Sequence, residues 1–217
     1  FRDEVRNGFF IPTAVKQAWA AQLQVLDVIE TICRKHDITY FADWGTILGT
    51  VRHGGYVPWD DDMDICMKRE DYTRFKEAAK TELPKDFRIH DYEHQEDHWL
   101  FLSRVANSVH INFEPEHMKQ FHNFPYIAGI DIFVLDYLYK DEQQEKQRCE
   151  EVKHIIAVAD SIIAGEIAQP VKEANLIQLE EKYHKTFNRK LDNRHIGIEL
   201  YRLAEEQMAR VPKEESD

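Results

Sequence analysis

Residues 59 to 65 read Trp59-Asp60-Asp61-Asp62-Met63-Asp64-Ile65, and Cys66 and Met67 continue the run. Side chains on a strand alternate between its faces. A strand over Met63–Met67 therefore sets Asp62, Asp64 and Cys66 on one face and Met63, Ile65 and Met67 on the other. Apolar residues packing behind two carboxylates is how a strand presents a divalent cation to a cleft. Hard oxygen ligands suit magnesium or manganese, and magnesium needs only one or two carboxylates plus substrate phosphates. Without a cation, two such charges about 5 Å apart repel by roughly 3 kcal/mol at an effective dielectric of about 20. Asp60 and Asp61 read instead as a solvated acidic turn.

Upstream, Ile38–Ala42 reads as a short strand, and Asp43-Trp44-Gly45-Thr46 as the turn from it into a short helix. Gly45 lets a phosphate approach the backbone, Thr46 offers a hydroxyl, and the helix N-terminus offers free N–H groups. Arg52 and His53 follow on that helix. Arg52 is the natural phosphate clamp, weighed against an unliganded surface arginine. Downstream, Gly129-Ile130-Asp131-Ile132-Phe133 places Asp131 in an otherwise hydrophobic strand, where an unpaired charge is costly. Asp131 is the candidate third acid of a metal clamp. Asp136, nearer the strand end, competes with it and reads as a cap or turn residue.

Around this centre, Pro12 reads as the first residue of an amphipathic helix. Its apolar face is Val15, Ala18, Trp19, Val25, Leu26, Ile29, Ile32 and Cys33, interrupted by Gln22. Gly54-Gly55 makes a turn, Arg69 to Thr81 a helix, and two or three strands fit between Phe87 and Phe113. Ile130–Leu135 is the last strand. From Asp141 the pattern is helical only. Its stripes are Val152, Ile155, Ile156, Ala159, Ile162 and Ile163, then Leu176, Leu179, Tyr183 and Phe187, then Tyr201, Ala204, Met208 and Val211. The expectation is an α+β chain: a mixed sheet with flanking helices over residues 1–140, and a helical segment over 141–217 that ends in the solvated Lys213–Asp217.

Composition narrows the function. The 217 residues carry 28 basic and 40 acidic side chains, a formal net charge of -12, which argues against an extended nucleic-acid footprint. A nucleotide survives that test, because a bound cation reverses the local field. Cys33, Cys66 and Cys149 show no paired spacing and read as buried free thiols. No run approaches the ~18 to 20 apolar residues of a membrane span, and no signal peptide is visible, so the chain reads as cytoplasmic. A start at Phe1 without methionine reads as a fragment or a processed form.

The stretch from Phe41 to Ile65, Phe-Ala-Asp-Trp-Gly-Thr-Ile-Leu-Gly-Thr-Val-Arg-His-Gly-Gly-Tyr-Val-Pro-Trp-Asp-Asp-Asp-Met-Asp-Ile, resembles the signature of the LicD family. The similarity continues through Arg69-Glu70-Asp71-Tyr72 and returns at Gly129–Phe133. It implies a nucleotidyltransferase-like fold. It also implies transfer of a phospho-alcohol, phosphocholine from CDP-choline or ribitol phosphate from CDP-ribitol in fukutin-type relatives, to a hydroxyl of a glycan or glycolipid, with release of CMP. Carried over by position, Gly45 and Thr46 match the family's Gly-Ser/Thr turn, Asp62 and Asp64 the paired ligands of Mg2+ or Mn2+, and Asp131 the third acid. For a choline donor, Trp44, Tyr56 and Trp59 are candidate faces for the quaternary ammonium. The family's aromatic-rich C-terminal stretch with its Tyr-Gly motif is not found before Asp217, so the helical segment is expected to stop short or to differ.

Three other readings compete. His90, His94 and His98 have the spacing of one helix face, but His94-Gln95-Glu96-Asp97-His98 lacks the glutamate that a zinc hydrolase needs directly after its first histidine. A binding module could keep the fold without catalysis. A true nucleotidyltransferase would use the same acids to attach the nucleotide itself.

Overall fold

The structure, a computed structural model, describes residues 1–216; Asp217, the last residue of the expected solvated end, lies outside them. The chain divides into two compact units. One comprises Phe1–Asp91 and Leu102–Leu135, the other Tyr92–Phe101 and the residues from Asp136 onward.

The first unit opens on a hairpin of β1 (Glu4–Arg6) and β2 (Phe9–Ile11). Asn7 and Gly8 turn it with φ of 52° and 78°, the left-handed pair that a two-residue hairpin requires. Helix α1 (Thr13–Lys35) follows, with Pro12 as its N-cap rather than its first residue. The helix closes at Asp37, whose φ of 52° lets the Ile38 N–H reach the Cys33 carbonyl at 2.9 Å. That closure takes Ile38 out of the strand expected over Ile38–Ala42, and β3 is only Phe41–Ala42. Helix α2 (Trp44–His53) is capped by Asp43 and stops at Gly54, with φ of 65°. Then come β4 (Asp64–Lys68), α3 (Arg69–Glu82), β5 (Arg88–His90), β6 (Ser103–Ala106), α4 (Pro115–Gln120) and β7 (Gly129–Leu135).

These strands form a five-stranded sheet in the order β3-β4-β7-β6-β5. Within it β4 and β7 run parallel, and the other neighbours are antiparallel. The class is α+β, as the sequence pattern implied. One face of the sheet carries Ile65, Met67, Val105, Ile130 and Ile132, which share a core with Val25 and Ile29 of α1 and Phe75 of α3. Full burial of each such side chain stabilises the unit by roughly 1.5–3 kcal/mol. Alternation puts Asp64, Cys66, Arg104 and Asp131 on the opposite face.

The second unit packs α5 (Glu142–Ile163), α6 (Gln169–Tyr183) and α7 (Asn193–Met208) around Ile155, Ile162, Leu176, Leu179, Ile196 and Leu200, with Tyr92 and Phe101 against them. Gly197 permits the close approach of α7 to α5, since a β-carbon there would stand 2.4 Å from Cγ1 of Ile163. The buried Arg148 donates to Glu145 and, at 3.1 Å, to the Met208 carbonyl. That guanidinium, with the Tyr139 N–H, holds the Glu145 carboxyl at about 2. Phe187 is buried past the end of α6, which stops at His184 with φ of 52°. Lys213–Glu215 forms an exposed 3-10 turn. Among the described residues, no helix is long and apolar enough to cross a membrane.

Candidate active site

Strand register places the first two acids. Asp64 and Asp131 are partners on the parallel strands β4 and β7, and Asp131 is in turn the partner of Arg104 on antiparallel β6. The three side chains therefore stand in a row on one face, neighbouring strands being about 4.8 Å apart. Asp64 is 8% exposed and Asp131 9%. Arg104 donates from Nε to Oδ1 of Asp131 at 2.5 Å and from Nη2 to Oδ2 at 2.7 Å. The charge that reads as unpaired in the sequence thus has a two-point partner. Asp136 lies just beyond the end of β7.

Asp62 is not on the strand, which begins at Asp64, but in the loop before it. Carboxylate oxygens of Asp60, Asp61 and Asp62 lie within 4.8 Å of one another. Asp60 is not the solvated turn residue that the sequence implied, for it is half-buried and packs against Gly45. A β-carbon on Gly45 would stand 2.1 Å from Oδ2 of Asp60. Helix α1 holds this loop by its carbonyls: Trp19 Nε1 donates to Asp60 O at 2.8 Å, and Gln22 Nε2 to Asp61 O at 2.7 Å. Gln22 also accepts from the Tyr56 hydroxyl at 2.9 Å, and the Tyr56 ring stacks on Trp19 with centroids 4.8 Å apart. The polar residue that interrupts the apolar stripe of α1 is a brace for the acidic loop.

Helix α2 meets β4 at its first turn. The Thr46 hydroxyl accepts from the Asp64 N–H at 2.8 Å, which leaves its own proton to donate. Asp43 donates its N–H to Asp64 O at 3.0 Å, while its side chain accepts from the Trp44 N–H at 2.9 Å. Trp44 has φ of 41°, a left-handed conformation that is strained for an aromatic residue and is concentrated at functional sites. Gly49 packs against the following turn, where a β-carbon would meet Gly55 O at 2.3 Å. Arg52 lies in the last turn of α2, exposed, and roughly 10 Å of helix axis from Gly45. No contact brings it to the carboxylates among the described residues.

The family described as LicD/FKTN/FKRP, nucleotidyltransferase domain, matches residues 37–157, more than half of the chain. The chain belongs to this family. The lipopolysaccharide cholinephosphotransferase LicD of Haemophilus influenzae is 43% identical over 53 residues, 24% of this chain and 20% of that protein. Uncharacterized proteins of Rickettsia typhi and Rickettsia prowazekii are 39% and 42% identical over 54 and 48 residues, 25% and 22% of this chain and 18% of each relative. The aligned stretches thus span about a fifth of these relatives' length.

In the candidate site of this LicD-family chain the electrostatics follow from burial and then from crowding. Burial, and then the charges of Asp62, Asp131, Asp60 and Asp43, push the Asp64 carboxyl up to about 6. Asp62 is exposed over part of its surface. Partial burial, the hydrogen bond with Asp60 and the charges of Asp60, Asp61 and Asp131 still raise it above the usual carboxylate range. Carboxylates that resist ionisation because they are partly buried and stand beside one another fit a divalent cation, which offsets both effects. The donors are all hard oxygens, so the set suits magnesium or manganese rather than zinc. The zinc reading also loses its helix, because His90 is in β5, His94 lies in a turn and His98 in the irregular stretch that follows.

A cavity of about 340 Å³ borders the acidic loop at Asp60 and Asp62; Asp64 and Asp131 do not line it, and Ile65 reaches it from the apolar face of β4. Leu23, Leu26, Tyr40 and Met63 supply apolar wall, and Asp60 and Asp62 the polar edge. Of Trp44, Tyr56 and Trp59, the candidate faces for a quaternary ammonium, Tyr56 lines it. Trp44 packs on Phe133, and Trp59 meets Phe9 and His53 edge-on. Asp60, Arg104, Trp19 and Gln22 are the residues of the candidate site that the sequence did not single out for these positions. A lone arginine alternating with Ser103 and Val105 was the visible signal for Arg104.

Proposed function

We propose that this chain carries the catalytic centre of a metal-dependent transferase that moves a phosphocholine-like phospho-alcohol from a CDP-activated donor to a glycan or glycolipid hydroxyl, releasing CMP. The observation that carries this reading is the pair Asp64 and Asp131, side by side on parallel strands with Asp60 and Asp62 near them, in a chain of the LicD family.

Asp62, Asp64 and Asp131 would hold Mg2+ or Mn2+, with Asp60 as a further carboxylate on the same loop. The cation, when bound, neutralises the donor pyrophosphate and the charge that builds on the departing CMP. The chain's own groups do the rest. Backbone N–H groups at the start of α2 and the Thr46 hydroxyl proton donate to phosphate oxygens. The acceptor oxygen forms a bond to the phosphorus of the transferred group while the bond to CMP breaks, CMP leaving with the electron pair. The hydroxyl proton passes to a carboxylate oxygen of Asp131. Tyr56 and the apolar wall shelter the methylated end of a choline donor. A cytoplasmic location belongs to the same proposal.

The test is a panel of CDP-alcohols with magnesium and a glycan acceptor, following CMP and the modified acceptor. CMP release with label from the alcohol on the acceptor supports the reading. Label from the cytidine on the acceptor would instead make the chain a nucleotidyltransferase, and no turnover would leave a binding module.

A further inference from the structure

The pairing of Arg104 with Asp131 is at odds with a metal clamp, since both oxygens of the buried carboxylate are taken by one guanidinium. The Arg104 side chain is 51% exposed against 11% for Asp131, so the guanidinium end can swing away without opening the core. Its stem lies along the backbone at Gly129, where a β-carbon would come within 2.9 Å of Cδ. Arg104 also sits in the field of Asp62 and Asp64, as well as in that of its partner Asp131.

We propose that Arg104 is a positioning residue that exchanges partners: it holds Asp131 while the carboxylates lack a divalent cation, and it turns to the donor's phosphate oxygens once a cation takes Asp131. The proposal rests on the metal-dependent reading above. Two like charges cannot share Asp131 cheaply, so an arriving cation repels the guanidinium at close range. The planar fork that grips a carboxylate at two points grips a phosphate in the same way. The phosphates then lie beside the cation, a side chain's reach from β6. The exchange would also free both Asp131 oxygens, one for the cation and one for the acceptor's proton. Arg52, at the far end of α2, has no comparable position.

The test uses calorimetric titration of MnCl2 alone, then of CDP at saturating Mn2+, on the full chain and on Arg104→Met, Arg104→Gln and Asp64→Asn. Removing the competing cation is expected to tighten Mn2+ about tenfold in both arginine variants and to weaken CDP about tenfold. Unchanged or weaker Mn2+ binding in those variants, with Asp64→Asn losing Mn2+, would overturn the exchange and leave the metal site standing. Absence of Mn2+ binding in every form, wild type included, would overturn both. Failure of both arginine variants to fold would make Arg104 a structural brace and overturn the exchange as well.

Discussion

Oδ2 of Asp60 lies 2.1 Å from the place where a β-carbon at position 45 would stand. Gly45 and Asp60 therefore act as one feature, with the glycine at the start of α2 giving room to a carboxylate of the acidic loop. The obstructed atom is the end of a flexible side chain. Gly45→Ala is expected to keep the fold, within about 1 kcal/mol of wild type, while displacing Asp60 and lowering both Mn2+ affinity and transfer rate. Thermal melting beside Mn2+ titration checks this. A variant that melts early with its Mn2+ affinity intact would make Asp60 a packing residue.

Gly49→Ala should behave in the opposite way. Its β-carbon would meet backbone, Gly55 O at 2.3 Å and Val57 N at 2.9 Å, and backbone cannot step aside as a side chain can. A loss of about 1–3 kcal/mol of stability is expected, measured as a lowered denaturation midpoint. An unchanged midpoint would show that the 55–57 turn moves freely.

Asp62→Asn and Asp64→Asn keep the size of the side chain and remove the charge. Loss of about 4 kcal/mol of transition-state stabilisation corresponds to roughly a thousandfold in rate. The apo protein sheds like-charge repulsion, so its melting temperature should stay level or rise. Asp60→Asn, harmless if Asp60 were a solvated turn residue, is expected to lose activity too. Full activity in the Asp62 and Asp64 variants, or unfolding, would make these acids structural.

The pH dependence has a definite sign. The Asp64 carboxyl is raised from 3.8 to about 6 in the folded apo protein, first by burial and then by its acidic neighbours. A raised folded pKa contributes stability that is fully present below the unfolded value and lost as pH rises through the folded one. Relative to Asp64→Asn, apo wild type should therefore lose stability between about pH 4 and pH 6. Cation binding needs the ionised group, so Mn2+ affinity should fall as pH drops below about 6. Melting and Mn2+ titration across that range check both, and parallel curves for wild type and variant would contradict them.

Much of the candidate site was legible because its signals are local. Asp64 alternates with buried apolar residues, Asp131 sits in a hydrophobic strand, and Gly45-Thr46 opens a helix, all within a few residues. Arg104 was hidden because its partner depends on the register of β6 against β7, which a single strand does not disclose. The role of Gln22 depends on a contact 39 residues away, and that of Trp19 on one 41 residues away. Without those contacts, Gln22 reads only as a flaw in a stripe and Asp60 as part of a turn. The loss of Ile38 from β3 follows from a left-handed Asp37, a conformation that a sequence pattern does not impose. The Asn7-Gly8 pair is the local signal for the β1–β2 hairpin, which the helical periodicity from Pro12 onward does not cover.

In the proposed mechanism the row of acids holds a divalent cation for phosphoryl transfer. Anomalous diffraction from crystals soaked with Mn2+ and CDP-choline locates the ion directly. One peak is expected within about 2.1–2.2 Å of carboxylate oxygens of Asp64 and Asp131, shared with the donor pyrophosphate and lost in Asp64→Asn. A peak on the exposed Asp61 and Asp62 alone, or none beside β4 and β7, would contradict it.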